Sequence, residues 1–237
     1  MLSHNDPQYL ATKRIKQALD TLDPLMNDLA DWLLIKYDVR PLNIILSVLP
    51  DGSTPRLDII FEFHEQMVRF GVNFPIAGRT QKDEERICRY FVWLLETQRR
   101  SREFNEHPEQ FPLQEQFATL NFKRLFVSTS AFAPLALCEA NRSIPQELID
   151  ALMKRINCPE IIDAFRHNAA AYFVVQRDAE RDWFKSINKE REWGQLYLEL
   201  LKPRDEFNYI NPDTFRIHIE SQQTIDEKYD GKWYWYF

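Results

Sequence analysis

The amino-acid sequence predicts a helix-rich α+β fold: an antiparallel β-meander packed against helices, then a helical second half and C-terminal strands. Two patterns carry that prediction. Apolar residues recur every three or four positions in several long windows, as an amphipathic helix requires. They alternate in three consecutive short runs between Leu42 and Phe74, as half-buried strands require. A third observation bounds the class. The 237 residues, 44% of them hydrophobic, suffice for a sizeable core, but only 5 are glycine. The glycine-rich cradles of phosphate and dinucleotide sites are therefore not expected.

Gln8 to Leu22 reads as a helix with Leu10, Ile15 and Leu19 near one face. Asp23 before Pro24 reads as an N-cap followed by proline at the first helical position. It starts a second helix carrying Leu25, Leu29, Trp32, Leu33 and Tyr37. The period then drops to two. Leu42, Ile44, Leu46 and Val48 form a strand and Pro50–Asp51–Gly52 a turn. Leu57, Ile59, Phe61 and Phe63 form a second strand, and Val68, Phe70, Val72 and Phe74 a third that closes the meander. Thr80 and Asp83 read as a capping box for a helix to about Gln98, with Ile87, Phe91, Leu94 and Leu95 inward. The polar, proline-punctuated stretch that follows suggests a unit over 1–100, a linker or long loop over 101–117 and a unit over 118–237, or one continuous domain.

In the second half, Phe122 to Val127 reads as a strand and Ser143 before Pro145 opens a helix to about Ile156. From Pro159, apolar positions through Phe165, Tyr172, Trp183 and Ile187 hold helical spacing for about eight turns, outvoting a strand at Tyr172 to Val175. Helical character resumes from Trp193 to Leu201. Phe215, Ile217 and Ile219, then Trp233, Trp235 and Phe237, alternate as closing strands, the last entered by the Asp230–Gly231 turn pair. No self-similar repeat or low-complexity tract runs through the chain.

Thirty Lys plus Arg against thirty-six Asp plus Glu give a net charge of −6, so no nucleic-acid partner is predicted. The longest charge-free stretch, Val127 to Cys138, contains Pro134 and falls well short of the ~20 residues that cross a bilayer, so no membrane association is expected. The polar amino terminus shows no export pattern. Cys88, Cys138 and Cys158, odd in number and without a C-x-x-C pair, read as reduced thiols of a cytoplasmic protein. Asn141–Arg142–Ser143 matches a glycosylation sequon, which reads as chance in that compartment.

Candidate chemistry is sparse. Asp58, Glu62 and His64 are spaced to share one face of a strand, where a divalent metal could serve a hydrolase or nuclease; this is the alternative reading. Their ~7 Å spacing along a strand leaves such a site short of ligands, and a solvated sheet face is the simpler account. Asp163 and His167 read as a helical i, i+4 pair, and Ser128, Thr129 and Ser130 as turn or cap residues. Cys138 lacks a nucleophile's local signature. The mixed-charge run Arg177 to Lys189 encloses Trp183 and Phe184, a polar rim around an aromatic pair. Lys232 leads into five consecutive aromatics, which place Tyr234 and Tyr236 on the side of a strand away from the core. The leading reading is a non-catalytic protein-binding module of the inhibitor, immunity, chaperone or adaptor kind. Its binding residues are Tyr234, Tyr236, Trp183 and Phe184, with a protein partner, no cofactor, and self-association as a further option.

Overall fold

The computed structural model describes residues 5–73, 81–106, 113 and 120–237. The chain forms two compact units, Met1–Ala133 and Pro134–Phe237. Each has its own three-stranded sheet and its own hydrophobic core, and the α+β class holds. Of the stretch 101–117, the described residues 101–106 and 113 belong to the first unit.

The first unit opens with helices α1 (Pro7–Lys16) and α2 (Pro24–Tyr37). The Asp23 carboxylate accepts the Leu25 N–H at 2.9 Å, with Pro24 following, so the expected N-cap is present. α1 is shorter than its pattern suggested. Leu19 N–H donates to the Arg14 carbonyl and Ala18 N–H to that of Ile15, with Ala18 at φ 57°; this is a Schellman closure. Tyr9 and Thr12 form its buried face, while Leu10 and Leu19 are exposed. α2 buries Leu25, Leu29, Leu33 and Tyr37 as its stripe required.

β1 (Asn43–Val48) and β2 (Pro55–Phe61) pair antiparallel. In the turn between them Asp51 accepts the Thr54 hydroxyl and the Ser53 and Thr54 N–H groups, bonds that hold its pKa at about 2. The third run is not a strand. Val68 and Phe70 lie in α3 (His64–Asn73), with Phe70 buried, Met67 packed on the core and Val68 exposed. That i, i+3 spacing overrides a short apparent alternation, and Phe74 lies outside the described residues. The sheet's third member is β3 (Phe126–Ala131), parallel to β2, so the meander keeps only its first antiparallel pair. Ser128, Thr129 and Ser130 are therefore strand residues. Between β2 and β3, α4 (Gln81–Arg99) buries Ile87, Phe91, Leu94 and Leu95 as expected, and α5 (Arg102–Glu106) follows. Thr80, the expected cap of α4, lies outside the described residues.

Helix α6 (Phe132–Arg142) contains the division between units, and α7 (Gln146–Ile156) starts where Pro145 predicted. The long helix expected from Pro159 is instead a hairpin, β4 (Ile161–His167) and β5 (Ala170–Val175), then α8 (Asp178–Ser186). Asn168, left-handed at φ 53°, turns the hairpin, and Ala171, Phe173 and Val175 alternate into the core. Asp163 and His167 thus lie on a strand, not on a helix. α9 (Lys189–Leu201) leads to β6 (His218–Ser221), which pairs parallel with β5. Gly194 permits that approach, because a Cβ there would stand 3.2 Å from Ile217 N and 3.3 Å from Arg216 Cα. α10 (Gln222–Tyr229) has no counterpart in the sequence reading. The last expected strand is the short helix α11 (Trp233–Tyr236).

The two units repeat one plan. Each has a helix before an antiparallel hairpin, then helices, then a strand parallel to the hairpin's second strand, then a helix starting at the next residue. One backbone bond recurs at matching positions: Ala133 N–H donates to the Glu62 carbonyl at 2.9 Å, and Gln223 N–H to that of Gln176 at 3.1 Å. Register sets Asp58 beside Ser128 in one sheet and Tyr172 beside His218 in the other. The repeat is one of topology, and matching positions carry unlike side chains.

Ala18 occupies the left-handed position where glycine is unstrained. Ala18→Gly is expected to raise the unfolding free energy by about 0.5–1 kcal/mol at unchanged m-value, measured by urea denaturation.

Candidate functional site

The outer face of the second sheet is aromatic. Cross-strand register puts Phe165, Tyr172 and His218 side by side, stacked at 5.4 Å for the first pair and 4.9 Å for the second. After α10 the chain turns through Asp230 and Gly231, both at positive φ, and α11 lies on this face. Trp233 meets Phe165 edge-on at 4.7 Å, and Phe237 meets Tyr172 edge-on at 5.1 Å and stacks on His167 at 3.7 Å. Burial, then the Arg142 charge, holds the His167 pKa down, so its ring packs as a neutral one near neutral pH.

A polar node ties the segment down. The Tyr236 hydroxyl donates to Glu220 at 2.9 Å; the same carboxylate accepts the Arg181 guanidinium at 2.9 Å and the Ser221 N–H at 2.9 Å. Arg181 also donates to Asp178 and to the Thr224 hydroxyl, and Asp178 accepts the Ser221 and Thr224 hydroxyls. Burial alone would push the Glu220 carboxyl up. The Ser221 N–H, Arg181 and Tyr236 outweigh it and hold the group below the usual range. Burial and this carboxylate both raise the Tyr236 pKa. Glu190 caps another outward N–H of β6, that of Ile219, so two glutamates satisfy an otherwise open strand edge.

With Trp233, Tyr236 and Phe237 engaged, Tyr234 and Trp235 face outward, 66% and 63% exposed, their rings 5.0 Å apart. No family model, curated protein or solved structure matches this chain.

The residues singled out in sequence separate into three groups. Tyr234 and Trp183 are exposed, the latter at 56%. Tyr236 is an anchor. Phe184 is a core residue, buried against Trp193 at 5.0 Å. Trp235 was missed because strand alternation assigned it to the core side. The signal that finds it is Asp230–Gly231 read as the left-handed end of a helix carrying Ile225 and Tyr229.

Asp58, Glu62 and His64 do not converge. Asp58, 2% exposed, accepts Arg56 at 2.7 Å and the Ser128 hydroxyl; Glu62, past the end of β2, pairs with Lys16 at 2.6 Å; His64 opens α3. Among the described residues no three His, Cys, Asp or Glu side chains gather as a metal site, and no helix is long and apolar enough to cross a membrane. Asn141 of the sequon is fully buried. It donates to the Asn168 and Ala170 carbonyls and accepts the Tyr197 hydroxyl.

Because its folded pKa lies below the unfolded value of about 4.3, Glu220 contributes stability that is complete above that pH and is lost as pH falls through the folded value. Glu220→Gln is expected to cost about 1–3 kcal/mol near neutrality. The gap to the native chain should narrow below about pH 4, as read by chemical denaturation across pH.

Proposed function

We propose that this chain is a non-catalytic, cytoplasmic protein-binding module of the inhibitor, immunity, chaperone or adaptor kind, and that Tyr234 and Trp235 are the centre of its docking surface. One observation carries the reading: two adjacent aromatics stand exposed on a segment whose other aromatics are anchored by ring stacking and by Glu220. Exposed large rings are costly in water and valuable at an interface, where tyrosine and tryptophan are frequent hot spots. Anchoring matters as much as exposure. A segment already held in place loses little conformational entropy when a partner covers it. Trp183 is a second exposed aromatic in the same unit, on the mixed-charge helix α8. Tyr236 serves the surface indirectly, by holding α11 on the sheet.

A pull-down from native cell extract with the full chain and with the Tyr234→Ala/Trp235→Ala variant tests this. The expected result is a companion protein that the native chain retains and the variant loses, its affinity reduced about 100-fold or more at unchanged melting temperature. Recovery of the same companions by both baits would refute the surface.

A further inference from the structure

The first unit carries an exposed patch unrelated to the terminal aromatics. Three rings form a ladder across α2 and α4: Trp32 stacks on Tyr90 at 4.3 Å, and Tyr90 meets Trp93 at 5.4 Å. Trp93 is 55% exposed. Ile35, on the next turn of α2 after Trp32, is 85% exposed, more than any other large apolar side chain among the described residues. A lone exposed isoleucine needs no explanation. One beside an open aromatic ladder extends an apolar patch of the kind that marks an interface.

The charges beside the patch select its occupant. Several are matched within the chain: Asp31 by Arg40 at 3.0 Å, Arg89 by Glu85 at 3.9 Å and Glu96 by Arg100 at 3.6 Å. Asp28 and Lys36 are not. Both are exposed, and among the described residues neither side chain has a hydrogen-bond or ion-pair partner. They flank Trp32 symmetrically on α2, Asp28 four positions before it and Lys36 four after, each about 6 Å away along the helix axis. Spacings of four keep all three on one side of the helix. Burial and the Asp28 charge both raise the Tyr90 pKa, so the acid stands beside the ladder.

Two full turns separate this acid from this base, too far for them to pair on one helix. Two copies of α2 laid antiparallel across a two-fold axis at Trp32 bring each Asp28 opposite the other copy's Lys36. We propose that this face is the interface of a homodimer, with α2 packed antiparallel on its copy, Trp32 and Ile35 at the centre and reciprocal Asp28–Lys36 pairs at the two ends. Burial of Ile35 and the ladder drives the association, while the end pairs, worth little in energy, fix direction and register. A parallel pairing would set Asp28 against Asp28 and Lys36 against Lys36.

Sedimentation velocity of the full chain from about 5 to 500 μM at low salt tests the proposal. A monomer–dimer equilibrium is expected within that range, as for a small interface. Ile35→Glu should weaken it about tenfold or more. Asp28→Lys makes both end pairs repulsive and should weaken it about tenfold; Asp28→Lys/Lys36→Asp restores both pairs with the signs exchanged and should return it to within about threefold of the native value. All three positions are exposed, and melting curves should show the variants folded. The proposal is overturned by a native chain that stays monomeric at about 500 μM, by an Ile35→Glu variant that dimerises as the native chain does, or by a double variant that dimerises no better than Asp28→Lys alone.

Discussion

Parallel pairing of a distant strand with the second strand of a hairpin is the interaction on which both units depend. An isolated hairpin is marginal in water, and a third strand with a covered face makes it durable. Because that strand runs parallel to its neighbour, the chain must cross over before returning, and helices occupy the crossover. In the second unit α8 and α9 do so, with Gly194 letting the backbone that leads into β6, at Arg216 and Ile217, come close. The backbone bonds Ala133 to Glu62 and Gln223 to Gln176 then fix the helix that follows each returning strand.

The same pairing builds the terminal surface. β6 brings His218 alongside Tyr172 and places Glu220 where Arg181, Tyr236 and the Ser221 N–H converge. A carboxylate so enclosed would be costly alone; with a guanidinium, a hydroxyl and an amide as donors it holds the terminal segment down. The first sheet carries Asp58 and Ser128 in the matching positions, bound to each other and to Arg56. One plan thus yields an aromatic platform in one unit and a buried carboxylate–hydroxyl pair in the other, because the side chains at the matching positions differ.

Legibility in the sequence followed the range of the physics involved. α2 was plain, since Asp23, Pro24 and the stripe from Leu25 to Tyr37 are local signals that agree, and β1, β2 and the inner face of α4 were plain for the same reason. β4 and β5 were obscured: Phe165, Ala169 and Tyr172 fit a helical period as well as a hairpin, and the deciding residue, Asn168, is one left-handed position. β6 could be seen as an extended run, and of β3 only Phe126 and Val127, because the strand read over Phe122–Val127 starts at Phe126 and continues through Ser128, Thr129 and Ser130; the partners of both are set by crossover topology and not by neighbours in sequence. At the terminus, an aromatic run fits strand alternation and a short helix alike. Only the packing on Phe165, His167 and Tyr172 decides that Tyr234 and Trp235 face outward while Tyr236 is held.

Native-state hydrogen exchange, followed residue by residue, tests the dependence on the returning strands most directly. The backbone amides of β3 and β6 that bond to β2 and β5 should exchange only with unfolding of their whole unit, as slowly as the amides of the strands they pair with. Rapid exchange along β3 or β6, with the β1–β2 and β4–β5 hairpins still protected, would contradict the account.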